Sequence, residues 1–268
     1  MENNLNVSVI IPINSRKQRD FETYYERAIK SIQIQHTQPL EVIIVHSDED
    51  GLKQTLESID YSGLSVNFIE NKGKTDFSSQ VNLGVENAKG DYISILEFDD
   101  EYSTIWFKNV KRFINAYSEV DVFLPLVVDT DDKGMFVGFT NEATFAASLN
   151  SEIGYLTNEV LMNYQNFQTS GMVIKKTTYT DNGGFKPSFK LTFVYEFLLR
   201  LTYNSAQIMT IPRIGYKHMN FREGSIFWSY KNGQNSITDD EVSFWIESAK
   251  KEHFFTSDRN IKYQPQEA

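Results

Sequence analysis

The chain has 268 residues and a formal charge of -10, from 26 Lys+Arg against 36 Asp+Glu, which argues against a sequence-independent nucleic-acid binder. It contains no cysteine, so disulfides, thiolate metal sites, iron–sulfur clusters and a cysteine nucleophile are excluded. With 40% hydrophobic and 14% aromatic residues it can bury an ordinary core, and no run approaches the roughly 18 apolar residues of a membrane span.

The opening segment, MENNLNVSVIIP, shows neither a basic n-region nor a long apolar stretch. A soluble protein of the cytoplasm is expected, with peripheral attachment at the inner face of a membrane left open. Residues 7–13 (VSVIIPI) and 41–45 (EVIIV) are short β-branched runs without polar alternation, the pattern of strands buried on both faces. Further strands are expected at 65–70, 92–98 and 120–128. A helix is expected over 18–36, with Tyr24, Ala28, Ile29 and Ile32 at helical spacing, and another near 51–58. The clearest helix covers 76–89, where Phe77, Val81, Gly84, Val85 and Ala88 share a face and Gly90 stands where a C-terminal cap would be. This alternation predicts an α/β fold with a parallel sheet flanked by helices, and ligands beyond the carboxyl ends of the strands.

The second half is less regular. Turns are expected at 129–134 (DTDDKG) and 181–185 (DNGGF). Helices are expected at 191–203 and 239–254, the latter opened by Thr238 and Glu241 in capping-box spacing. No repeat or flexible linker divides the chain. The expectation is one domain over 1–268, with a regular α/β half at about 1–130, a smaller second lobe at about 131–230, and a C-terminal helix and tail at about 231–268.

The strongest chemistry lies in GDYISILEFDDEYS. If the strand runs to Phe98, Glu97 and Asp99 share one face. Two carboxylates side by side repel unless a cation joins them, and a hard divalent ion completed by substrate phosphates suits that arrangement. The plain alternative is a solvated acidic turn at the start of a helix over EYSTIWFKNVKRF.

The order of these segments resembles family 2 glycosyltransferases of the GT-A fold over about residues 5–105, with weaker echoes to about 225. The matching pieces are Pro12, Asn71-Lys72-Gly73, Asn82-Leu83-Gly84, Lys89-Gly90-Asp91-Tyr92-Ile93 and Glu97-Phe98-Asp99-Asp100. The resemblance implies a nucleotide-binding sheet and an enzyme moving a sugar, by single displacement with inversion, from a nucleotide-diphosphate sugar to a carbohydrate or glycan acceptor. A UDP-sugar is favoured, with Mn²⁺ or Mg²⁺ as cofactor. It implies a metal ligand at Asp99 and a ribose contact at Glu97, which replaces the usual Asp. Donor contacts are implied at Pro12, Lys72 and Asn82. The base-reading Asp pair is replaced by His46-Ser47, leaving Ser47 or the following Asp48 to read the base. The Arg that often precedes Asn82 is Val81.

In the second half, NGGFKPSFKLTFVYEFLLRL resembles the family's acceptor-side motif. It nominates Glu196 as the general base; the alternative is an i,i+4 pair with Arg200. Positions where many relatives carry a further acid are Phe193 and Val194. IGYKHMNFREGSIF resembles the Tyr-Arg-x-His loop, implying Lys217 or Arg222 against the diphosphate and a neutral His218 completing the metal shell. Thr169-Ser170-Gly171 is expected to border the acceptor pocket. The departures leave a catalytically inactive sugar-nucleotide-binding or scaffold protein as the alternative. A nucleotidyltransferase ranks lower, because INSRKQRD lacks the glycines of a triphosphate loop. A glycosidase ranks lower still, with no second carboxylate located across a sugar.

Overall fold

The computed structural model describes residues 4–17, 19–142, 155–220, 222, 223, 225, 228, 230 and 236–265. In chain order the elements are β1 (Asn4–Ile13), α1 (Phe21–Gln33), β2 (Gln38–Ser47), α2 (Leu52–Glu57), β3 (Val66–Asn71), α3 (Phe77–Asn87), β4 (Tyr92–Ile95), β5 (Glu101–Tyr102), α4 (Trp106–Ala116), β6 (Val122–Thr130), β7 (Phe136–Thr140), β8 (Tyr155–Leu156), α5 (Asn158–Asn163), β9 (Val173–Lys175), α6 (Lys176–Asp181), α7 (Phe193–Tyr203), β10 (Ile208–Met219) and α8 (Asp239–Glu252).

The strands form one sheet in the order β3-β2-β1-β4-β9-β6-β10-β5, with β7 against β6 and β8 against β10. The first four are parallel, and β9 runs antiparallel between β4 and β6. This is the helix-flanked α/β sheet that the alternation predicts. Strand order reverses between β1 and β4, so a ligand crevice is expected beyond their carboxyl ends.

Alternation along the buried strands feeds two cores. Val7, Val9, Ile11 and Ile13 of β1 join Val42 and Ile44 of β2 beneath α1, α2 and α4. Ile10, Ile43 and Val45 face the opposite side, against α3, α7 and α8. Both faces are covered, which is why these strands read as unbroken apolar runs. Thr238 caps α8 as the spacing predicts, its hydroxyl accepting from the Glu241 amide (3.2 Å).

Two glycines hold α3 close to the sheet. A Cβ on Gly84 would meet Ile10 at 2.6 Å and Val45 at 3.2 Å. Gly90 is not the expected helix cap: α3 ends at an extended Ala88. A Cβ on Gly90 would instead meet the Ser8 backbone nitrogen at 2.7 Å. The turn into β4 is pinned by buried polar groups. The Ser8 hydroxyl donates to Glu41 (2.7 Å) and accepts from the Gly90 amide (2.9 Å), while the Lys89 amide donates to the same Glu41 oxygen (2.7 Å).

Gly84→Ala tests that packing. Helix propensity alone would favour alanine by about 1 kcal/mol, but forcing a methyl into a full contact costs about 1–3 kcal/mol. Urea denaturation should show net destabilisation; an unchanged or stabilised variant would show that α3 has room to move away from β1.

Candidate active site

The acidic segment is not strand. β4 ends at Ile95, and the amide of Asp100 donates to the carbonyl of Glu97 (3.1 Å), closing a turn. The alternation that would put Glu97 and Asp99 on one face therefore does not apply. Turn geometry instead brings Glu97 and Asp100 together and turns Asp99 toward Arg222. Phe98 anchors the turn by packing on Phe21, with ring centroids 5.2 Å apart.

Immediately after the turn, β5 pairs antiparallel with β10, Tyr102 opposite Tyr216 and Glu101 opposite Lys217. Tyr216 and His218, two apart on β10, point the same way. The Tyr216 hydroxyl accepts from the Glu97 amide (3.0 Å), and His218 Nδ1 lies 2.9 Å from Asp100 Oδ2. The other Asp100 oxygen accepts from the Met219 amide (2.8 Å). Arg222 Nε donates to Asp99 Oδ2 (2.6 Å), and its guanidinium lies over the Phe98 ring at 5.1 Å. Ser170, just ahead of β9, donates to Glu97 Oε1 (2.8 Å).

Crowding shifts the charges. Burial, then repulsion from Asp100, pushes the Glu97 carboxyl up to about 7. Asp99 is raised by the same two causes, with Arg222 opposing them. For His218 burial opposes the charge, but Asp100, Glu97 and Asp99 outweigh it and push the imidazole up to about 10.

Glu97, Asp99, Ser170, His218 and Arg222 line a cavity of about 500 Å³ beyond the ends of β1 and β4, at the reversal of strand order, with Asp100 and Tyr216 buried behind its wall. Its acids among the described residues are Asp76, Glu97 and Asp99, and a further wall is apolar, with Phe77, Phe189, Phe193 and Val194.

The sequence matches the model of Glycosyl transferase family 2 over residues 8–172. The chain belongs to this family. A search of the curated proteins returns no match. Among solved structures it resembles S. aureus TarS 1-349 in complex with UDP-GlcNAc, with a TM-score of 0.62 and 17% identity, covering 92% of this chain and 72% of that one. The complex of the same protein with UDP gives 0.61 and 16%, covering 92% and 71%. A longer S. aureus TarS structure gives 0.60 and 17%, covering 92% of this chain and 43% of that one. At these identities the likeness establishes the GT-A fold.

Family 2 enzymes typically use a divalent ion, and the donor set here suits one. Glu97, Asp100 and His218 each offer a ligand atom, all within 4.8 Å of one another. Two carboxylates and an imidazole are compatible with Mn²⁺ or Mg²⁺. The trio differs from the expected pair: it includes His218 and Asp100, while Asp99 lines the cavity and pairs with Arg222. The turn explains the difference.

The structure brings Pro12, Glu97, Asp99, Thr169, Ser170, His218 and Arg222 to the cavity and leaves Ser47, Asp48, Lys72, Asn82, Glu196 and Lys217 outside its lining. The Ser47 hydroxyl donates to the Asn14 carbonyl (2.5 Å), behind the wall that Asn14 forms. Asp48 is exposed on the following loop. Lys72 is exposed and pairs with Glu70 (3.1 Å). Lys217 pairs with Glu101 (3.5 Å) across β5 and β10. Asn82 donates to the Phe185 carbonyl (2.8 Å) and accepts from the Tyr179 hydroxyl (2.6 Å) and the Phe185 amide (3.0 Å), so it ties α3 to the glycine turn. Val81 is core. Sequence reasoning passed over Asp100 as a ligand and Tyr216 as a support; the signal for Asp100 was its three-residue spacing from Glu97, which is turn spacing.

Glu196 is the largest correction. It is fully buried, with Lys186 Nζ at 2.7 Å from one oxygen and Arg200 Nη2 at 2.8 Å from the other. Arg200 also donates to the Gly184 carbonyl (2.9 Å) and the Asn182 carbonyl, and Lys186 to the Glu252 carbonyl (3.1 Å). Both oxygens are spent on cations and neither faces the cavity, so the carboxylate cannot take a proton from an acceptor there. At the start of α7 the cavity meets Phe193 and Val194 instead.

Two expectations follow. Glu196→Gln leaves two buried cations short of their counter-charge and should destabilise the fold by about 3–5 kcal/mol; a full-stability variant with lost turnover would restore the base role. Metal binding must displace protons held by Glu97 and His218. Calorimetry with Mn²⁺ should therefore show proton release and an affinity that rises with pH from about 6, through the Glu97 titration near 7, and on toward the His218 titration near 10. A pH-independent affinity would exclude this trio as the site.

Proposed function

We propose that the protein transfers a sugar from a nucleotide-diphosphate donor, most simply a UDP-sugar, to an acceptor hydroxyl on a carbohydrate or glycan, with inversion. The observation that carries this reading is the convergence of Glu97, Asp100 and His218, of which Glu97 and His218 line a cavity at the reversal of strand order in a family 2 fold. The solved relatives that hold UDP and UDP-GlcNAc support the donor class. In this reading about 1–130 holds the donor and about 131–230 the acceptor, with about 231–268 bracing the second half.

A divalent ion held by the trio would draw charge from the leaving diphosphate. Arg222, buried beside Asp99, supplies a second positive charge on the same side. Pro12 borders the donor at the end of β1. The proton of the acceptor hydroxyl falls to Asp76, the one cavity-lining carboxylate outside the acidic turn among the described residues. Asp76 caps α3, accepting from the Ser79 amide (2.9 Å) and hydroxyl (2.7 Å).

One observation favours a second reading, a binding protein without turnover. Helix α7 presents Phe193 and Val194 to the cavity and buries its carboxylate in a salt bridge.

A paired experiment separates the two. Thermal unfolding with UDP or UDP-GlcNAc, in Mn²⁺ or EDTA, reports binding; a ligand at a hundredfold excess over its dissociation constant stabilises by about 2.7 kcal/mol. UDP release from UDP-GlcNAc reports turnover. The expected result is a metal-dependent shift, lost in Asp100→Asn, together with UDP release. Asp76→Asn preserves the helix cap and should keep binding while release falls by about 10²–10⁴-fold. Binding without release would favour the second reading, and no binding at all would sink both.

A further inference from the structure

Gln168 lies in the cavity wall with an unused hydrogen-bond donor. Its side-chain Nε2 is buried and has no partner among the described residues. A buried donor without an acceptor costs free energy in the ligand-free protein, so the native sequence has a reason to keep it.

The residue is held firmly. Asn141, fully buried and in the left-handed region at φ 67°, grips the Gln168 backbone from both sides. Asn141 Oδ1 accepts from the Gln168 amide (2.9 Å) and Nδ2 donates to the Gln168 carbonyl (3.2 Å). The same Nδ2 reaches the Pro125 carbonyl (3.0 Å) on β6, which fastens the segment to the sheet. Asparagine tolerates that backbone conformation better than most residues. The side chain is steered as well. The Ser170 hydroxyl lies 3.3 Å from Gln168 Oε1 and 2.8 Å from Glu97 Oε1. Its single proton serves one or the other, and Gln168 Oε1 is engaged on the Ser170 side. That leaves the amide nitrogen as the unspent end.

We infer that Gln168 reads the sugar of the donor by donating from Nε2 to one of its oxygens. This rests on the nucleotide-sugar reading above. Ser170 links Gln168 to Glu97, and Glu97 belongs to the trio that would serve the diphosphate. The diphosphate carries the sugar on one side and the nucleoside's ribose on the other; Ser170 and Gln168 come from the half that would hold the acceptor, which is the side on which the transferred sugar must lie. A donor on the protein requires an acceptor on the ligand: a ring hydroxyl oxygen or an N-acyl carbonyl. An ordered amide matched to one such oxygen discriminates against a ligand that leaves it unpaired. Nothing in the sequence marks this residue; the role emerges from Asn141, 27 positions away.

The test compares affinities of the full chain for UDP, UDP-glucose and UDP-GlcNAc in Mn²⁺, for wild type, Gln168→Met and Gln168→Glu. Met keeps the length without hydrogen bonds, and Glu keeps the oxygens without the N–H. Wild type should bind at least one UDP-sugar more tightly than UDP. Gln168→Met should bind UDP as wild type does, and both variants should lose about tenfold or more on that sugar relative to UDP, matching about 1.4 kcal/mol. A preference confined to UDP-GlcNAc would name the acyl oxygen, and one shared with UDP-glucose a ring hydroxyl. Variants that keep the wild-type preference for the sugar overturn the inference, as does a wild type that binds UDP and no sugar nucleotide better. If one variant fails to fold, the other decides. No UDP binding by wild type removes the donor reading and this inference with it, a result distinguishable from loss of the sugar preference alone.

Discussion

Three acids within four residues cannot be buried together without positive charge brought to them, and much of the architecture answers that demand. The turn after β4 closes on itself and offers no cation of its own. The compensation comes from more than a hundred residues away in sequence, delivered by β10 and the segment after it. The β5–β10 ladder makes that delivery accurate: once Tyr102 pairs with Tyr216, His218 is placed against Asp100. Repulsion that would unfold an isolated turn becomes, in this setting, a pocket of high negative potential partly quenched by an imidazolium and a guanidinium. A site of this kind can exchange the proton of its imidazolium for an incoming cation without losing electrical balance.

The two halves of the chain therefore meet at chemistry as well as in the sheet. The first half provides the parallel strands, the crevice and the acids. The second half inserts β9 between β4 and β6, places Ser170 against Glu97, and sends β10 back along the edge of the same sheet. Neither half holds a complete site by itself.

Much of the first half was legible because its signals are local. Unbroken β-branched runs mean strands covered on both faces, and Phe77, Val81 and Val85 at helical spacing mean a helix against them. The acidic cluster was legible as a place but not as a geometry. Reading 92–98 as strand extended a regular periodicity through Glu97–Asp100, where a single hydrogen bond between backbone groups turns the chain. Glu196 was misread for a related reason. Its pairing with Arg200 is local and visible, whereas the deciding partner, Lys186, comes from a preceding loop, and burial is a property of the fold. Lys72, Asp48 and Asn82 carry suitable side chains at matching positions, but those groups are spent on neighbours or point to solvent.

The buried triad of Lys186, Glu196 and Arg200 also has a mechanical meaning. Lys186 sits immediately before Pro187 and Phe189 of the cavity wall and bonds to the carbonyl of Glu252 at the end of α8, while the Phe189 ring rests on Trp245 of the same helix, with centroids 5.8 Å apart. The wall is thus hung from α8 at two points, a hydrogen bond from the Lys186 ammonium to a backbone carbonyl and an aromatic contact. A displacement of that helix would strip a buried ammonium of one partner and withdraw the support from Phe189. Helix α8 and the cavity wall are thus mechanically coupled: a force applied at that helix would be felt at Phe189.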